Sequence, residues 1–119
     1  NIFERIAREG RKYAIYLIVS SQRPSELSST VLSQCGNYII HRIQNDLDMK
    51  YIYSVLPYYS EDYPIKIRQL VPGEALVFGN FVPMPLLIKV IEANPHPNSD
   101  NCIINEEWFK IDKEENYAS

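Results

Sequence analysis

Within SSQRPSELSS, residues 20–29, an amide, a guanidinium and a carboxylate follow one another closely at Gln22, Arg23 and Glu26, directly after the apolar run AIYLIV. A planar amide that both donates and accepts suits sensing a terminal phosphate, or orienting an attacking water, without adding charge. Arg23 is placed to reach a phosphate or a neighbouring subunit, and Pro24 biases it toward extended backbone and stiffens the loop. Arg42 is the second unusual residue. On the strand-like YIIHRI it shares a face with Tyr38 and Ile40, so a guanidinium falls in an apolar row, where burial would demand a partner, unless it lies at the strand end and reaches outward. It is a candidate for stabilising phosphate charge during nucleotide hydrolysis, across a subunit boundary. Each candidate has a plainer reading. SSQRPS can be a hydrogen-bonded loop that starts the next helix at Ser25-x-x-Ser28, and Arg42 can be the salt-bridge partner of Asp46, Asp48 or Glu74. His41 reads as a satisfied sheet residue, and a cysteine enzyme built on Cys35 and His41 is a third reading.

The elements that must position these residues follow from periodicity. Ile2, Phe3, Ile6 and Ala7 fall on one face and Glu4, Arg5, Arg8, Glu9 and Arg11 on the other, which predicts an amphipathic helix ending near Gly10 to Tyr13. The basic residues Arg5, Arg8, Arg11 and Lys12 are read as a solvated face, with DNA or a partner as the alternative. AIYLIVS, residues 14–20, is too short for an ordinary helix and suits a parallel strand covered on both faces. A short helix through TVLSQC is expected, capped by Ser28 or Ser29 and ended by Gly36 or Asn37 in the left-handed region, before a second strand over YIIHRI. Together these make a βαβ-like crossover, the unit of parallel sheets. Asp46 or Asn45 then caps a helix through LDMKYIYSVL that stops at Pro57 and packs through Leu47, Tyr51, Ile52 and Val55.

Residues 57–73 read as a loop with a short helical turn, and residues 74–78 and 81–91 as a hairpin joined at Gly79-Asn80, with Pro83 and Pro85 opening part of the second strand. NPHPNSDN is expected as loop, and the tail NEEWFKIDKEENYAS carries one apolar cluster, Trp108, Phe109 and Ile111. One domain, or part of one, is expected.

With 119 residues and 45% hydrophobic content the chain can build one core, and its net charge of −3 gives no global electrostatic drive toward nucleic acid. No apolar run approaches the roughly 20 residues that span a bilayer, so a cytoplasmic, membrane-free protein is expected. Cys35 and Cys102 lack CxxC spacing and read as free thiols, while His41 and His96 lack partners at metal-site spacing. A nucleotide hydrolase also needs GxxxxGK[ST] and an acidic strand end for Mg²⁺, and neither occurs here. The chain begins inside a helix with no strand before it, so the first half of the sheet is expected to lie outside this sequence, and this stretch alone is expected to be inactive.

REGRKY, SQRPSELS, VLSQC and PGEALVFG, in that order and followed by VPMPLLIKV, closely resemble the C-terminal part of the RecA-like domain of HerA-type ATPases, which group with FtsK-type DNA translocases. The resemblance covers about residues 1–92. It implies an α/β fold: part of a mostly parallel P-loop NTPase sheet with a C-terminal antiparallel hairpin. It further implies a hexameric ring that hydrolyses ATP with Mg²⁺ at subunit interfaces, translocates DNA, and works with a nuclease in DNA repair or with an effector in antiviral defence. Ser21, Gln22 and Arg23 match the family's sensor loop, with Gln22 expected near the γ-phosphate, and Arg42, matching the arginine on the following strand, is the best candidate for a finger acting on a neighbouring subunit's nucleotide, with a nearby arginine as the alternative. The contrasting reading is a non-catalytic interaction module derived from such an ATPase, using Tyr51, Tyr53, Tyr58, Tyr59 and Tyr63 against a partner.

Overall fold

A computed structural model describes residues 1–57, 62–95 and 97. The first helix, α1 (Ile2–Glu9), starts where the Asn1 side chain accepts from the Phe3 N–H, and it continues into a 3-10 turn over Gly10–Tyr13, as its periodicity predicts. Gly10 is required there: a Cβ would stand 2.8 Å from the Ile15 carbonyl oxygen. Ala14, at φ 55, turns the chain out of this helical stretch.

Residues 15–21 then run without pairing to any described strand, so the strand expected over residues 14–20 is not formed. Ile15, Tyr16 and Ile18 are 50%, 80% and 95% exposed. The reason is physical: an apolar run becomes a strand only when other strands satisfy its backbone, and none of the described ones does. After a second 3-10 turn, Pro24–Glu26, comes α2 (Ser29–Gln34), which packs on α1 and buries Val31 and Leu32. Ser28 precedes it without capping it; its hydroxyl instead donates to Glu4 Oε1 at 2.6 Å and ties α2 to α1. Nor does a left-handed residue end α2, since Cys35 leaves in extended conformation and the positive-φ glycines are Gly73 and Gly79.

Among the described residues the sheet has three strands, β1 (Asn37–Ile40), β2 (Glu74–Gly79) and β3 (Leu86–Lys89), in the order β1-β2-β3. Both pairings are antiparallel, with Tyr38 opposite Phe78, Ile40 opposite Leu76 and Leu76 opposite Leu87. The fold is therefore α/β, but the described strands do not form the parallel crossover expected of them. The hairpin β2–β3 is present, but its second strand covers only Leu86–Lys89 of the expected 81–91 and the connection is longer than Gly79-Asn80. Its strands are separated by residues 80–85, because Pro83 and Pro85 lack the N–H a ladder needs.

Helices α3 (Asp46–Tyr53) and α4 (Tyr63–Gln69) complete the core. Ile40, Leu76 and Phe78 from the sheet meet Met49 and Ile52 of α3 and Ile67 of α4, with Met49, Ile67 and Leu76 fully excluded from water. Each such side chain contributes about 1.5–3 kcal/mol by leaving water. The face of α3 turned inward carries Asp48, Met49 and Ile52, whereas Leu47, expected there, is 53% exposed. Arg68 fastens α4 to the start of α3, donating to the Gln44 carbonyl at 3.0 Å and to Asp46 Oδ1 at 2.6 Å. Tyr51 and Tyr53 lie on α3 and Tyr63 opens α4, while Tyr58, Tyr59, His96, Cys102 and the apolar cluster of the tail lie outside the described residues.

At the end of β2 the chain passes very close to the residues that precede β1. A Cβ on Gly79 would collide with the Gly36 carbonyl oxygen and stand 2.7 Å from Asn37 Cα, and φ there is +125. The turn is then stitched by Asn80 N–H to the Gly36 carbonyl at 3.0 Å and Phe81 N–H to Asn37 Oδ1 at 2.9 Å. Gly79→Ala is expected to lower stability by about 1–3 kcal/mol, from backbone strain alone, and by more if the two backbones cannot separate. Chemical denaturation of the two proteins measures it, with Gly73→Ala, whose Cβ would meet nothing, separating φ strain from collision.

Candidate functional site

The SSQRPS segment is held by its own turns and by α3. Ser21 Oγ accepts from the Arg23 N–H at 3.0 Å and donates to the Arg23 carbonyl at 3.2 Å. Pro24 pre-sets the first position of the 3-10 turn that follows, closed by Glu26 N–H to the Arg23 carbonyl and Leu27 N–H to the Pro24 carbonyl. From α3, Asp48 reaches into this loop: Oδ1 accepts from the Ser25 N–H at 3.0 Å and Oδ2 lies 3.4 Å from Arg23 Nε.

Asp48 is 3% exposed. Ser25 hydrogen bonds and, secondarily, the Arg23 guanidinium hold its carboxyl below the usual carboxylate range, against the opposing effect of burial. Asn45 caps the same helix by accepting from the Leu47 and Asp48 N–H groups at 2.8 and 3.3 Å. Sequence reasoning named Asp48 only as a possible partner of Arg42. The signal it missed was a carboxylate beside Met49 on a face that the core requires to be apolar.

Gln22 and Arg42 line the same open cavity of about 640 Å³, whose wall also includes Cys35, Tyr38, Ile40 and His41. Gln22 is exposed, and among the described residues no hydrogen bond commits its amide. Arg42 is exposed too: β1 stops at Ile40 and Arg42 lies beyond it, so of the two placements open to it, buried with a partner or reaching outward from the strand end, the structure shows the second. Nor is it paired with the carboxylates considered for it. Asp46 goes to Arg68, Asp48 goes to Arg23, and among the described residues no ion pair reaches Arg42.

The other candidates are already engaged. Ser21 uses its hydroxyl in the turn, and Arg23 uses Nε on Asp48 while Nη1 lies 3.9 Å from Glu26, leaving its side chain 51% exposed. His41 Nδ1 stands 2.9 Å from the Glu74 carbonyl oxygen, as befits a satisfied sheet-end residue. The Cys35 thiol donates to the Val31 carbonyl at 3.3 Å, and burial pushes its pKa up, away from the thiolate that a nucleophile needs. No hydrogen bond joins it to His41. Among the described residues no group of three or more His, Cys, Asp or Glu can hold a metal ion, and no helix is long and apolar enough to cross a membrane.

Because the Asp48 carboxyl is depressed in the folded state, its contribution to stability is present above the ordinary carboxylate range and is lost as pH falls through its lowered folded value. Wild type is expected to be more stable than Asp48→Asn at neutral pH, with the difference shrinking below about pH 4. Denaturant midpoints of the two proteins across an acid series read this directly, and a pH-independent difference would contradict it.

No protein-family model matches the chain. Individual relatives do. It is 39% identical over 111 residues, 93% of its length, to the DNA double-strand break repair helicase HerA of Sulfolobus acidocaldarius. Against the protein of the same description from Saccharolobus solfataricus the identity is 38% over 115 residues, 96% of the chain. For that of Pyrococcus furiosus it is 42% over 89 residues, 75% of the chain. The chain spans 22%, 23% and 16% of the length of these three proteins. Similarity that runs through α1, the SSQRPS loop and the sheet alike makes this chain a segment that belongs to the HerA-type helicases.

Proposed function

We propose that this chain is the C-terminal portion of a HerA-like, ATP-dependent DNA translocase that works as a hexameric ring in the cytoplasm, in DNA repair with a nuclease or in antiviral defence with an effector. The observation that carries the reading is the meeting of Gln22 and Arg42 on one open cavity, each with its polar end uncommitted among the described residues. An amide and a cation against an apolar wall suit the outer phosphates of a nucleotide. They do not suffice for its base, its inner phosphates or Mg²⁺, which fall to residues of the parent protein beyond this stretch. ATP bound there supplies the phosphoanhydride whose hydrolysis drives movement.

In this reading the Gln22 amide orients water or senses the terminal phosphate, and Arg42 offers its guanidinium to phosphate charge across a subunit boundary. Residues 14–20 become an inner strand of a parallel RecA-like sheet once neighbouring strands of the parent protein flank them. The exposure of Ile15, Tyr16 and Ile18 supports that placement, since large apolar side chains on an unpaired segment call for cover.

In the full-length protein, Arg42→Ala is expected to cut DNA-stimulated ATP turnover by on the order of a thousandfold, as loss of an arginine finger does. Gln22→Ala is expected to cut it by about a hundredfold. Mixing Arg42→Ala subunits with subunits defective in the phosphate loop is expected to restore part of the activity, because each then supplies what the other lacks. Wild-type turnover in both single variants would overturn the assignment.

A further inference from the structure

We infer that Asp48 is a positioning residue for Gln22: a buried carboxylate that fixes where the amide stands on the cavity rim by clamping the backbone just after it. The inference rests on the sensing role proposed for Gln22. With no hydrogen bond of its own among the described residues, Gln22 takes its place from its neighbours. On one side is the Ser21–Arg23 turn; on the other, the two oxygens of Asp48 hold Arg23 and Ser25, which flank Pro24. The clamp therefore spans the proline, and the one soft backbone angle left there cannot turn without breaking a bond to a buried charge.

Asp48 can act in this way because its own position is fixed. Its neighbour Met49 is fully buried, Ile52 is 3% exposed, and Asn45 caps the helix at its start. The loop is thereby referenced to the core and not to solvent. Glu26, the other carboxylate near Arg23, is exposed and 3.9 Å away, a contact of the kind that solvent and salt weaken.

The test uses the full-length protein with Asp48→Asn, which keeps an acceptor for Ser25 but turns an N–H toward Arg23, and Asp48→Ala, which removes both contacts. Hydrogen exchange in the peptide covering residues 21–27 is expected to rise in both variants while peptides from β2 and α4 stay unchanged. DNA-stimulated kcat is expected to fall roughly tenfold to a hundredfold with KM for ATP unaltered, the signature of a misplaced group. Gln22→Ala combined with Asp48→Asn is expected to be no slower than Gln22→Ala alone, since both act on one group. Normal kcat in the Asp48 variants beside a damaged Gln22→Ala overturns the positioning role and leaves the sensing role standing. Normal kcat in Gln22→Ala overturns both. Exchange that rises throughout the chain, or losses that add in the double variant, mark Asp48 as a residue of general stability and overturn the inference as well.

Discussion

A carboxylate withdrawn from water persists as a charge only where donors replace the hydration it gives up. Asp48 meets that condition with the Ser25 N–H and the Arg23 guanidinium, and both donors belong to the loop that carries Gln22. The arrangement constrains two structures at once. Helix α3 cannot rotate to offer the core a wholly apolar face without leaving the loop unheld. The loop, in turn, cannot relax without stranding a buried charge, and breaking such a contact costs more than the contact itself contributes.

The sheet supplies the other half of the geometry. β2 is buried from Ala75 to Phe78 and paired on both edges, so it is the reference against which β1 is placed. β1 ends at Ile40, and His41 turns its ring to the Glu74 carbonyl, so the chain leaves the ladder just before Arg42. An arginine at that point is free of the apolar row and stands at the cavity that Gln22 also borders. Core packing, strand termination and loop clamping thus converge on one opening in the surface.

How far this was legible in the sequence depends on what each feature answers to. Local chemistry was readable: the amphipathic α1, the Asn45 cap, the need for positive φ at Gly79 and the prolines that delay β3 are all set by near neighbours in the chain. Pairing was not. The run AIYLIVS announces a need for cover on both faces but does not say which segment provides it. The inward face of α3 was legible only in part: Ile52 and Val55 pack on the core as expected, but Leu47 does not, because Leu47, Met49, Tyr51, Ile52 and Tyr53 place apolar groups on several sides and spacing alone cannot choose among them. Alternation along YIIHRI leaves Arg42 either buried or reaching outward from the strand end, and only the point where β1 stops, at Ile40, decides between them. Asp48 was overlooked as part of the site because its partners, Arg23 and Ser25, come from a loop distant in sequence.

Helix α2 ends without a glycine, and the group that closes it comes from the next strand. The Tyr38 hydroxyl lies 2.6 Å from the Leu32 carbonyl and 2.9 Å from that of Cys35, while its ring stacks on Phe78 at 4.8 Å; burial, its chief cause, and the neighbouring Cys35 push the phenol up to about 12. One side chain is therefore both a helix stopper and a piece of sheet packing. Fraying at the close of α2 would therefore free the hydroxyl of a ring stacked in the core, which couples the end of this helix to a strand with which it makes no backbone ladder.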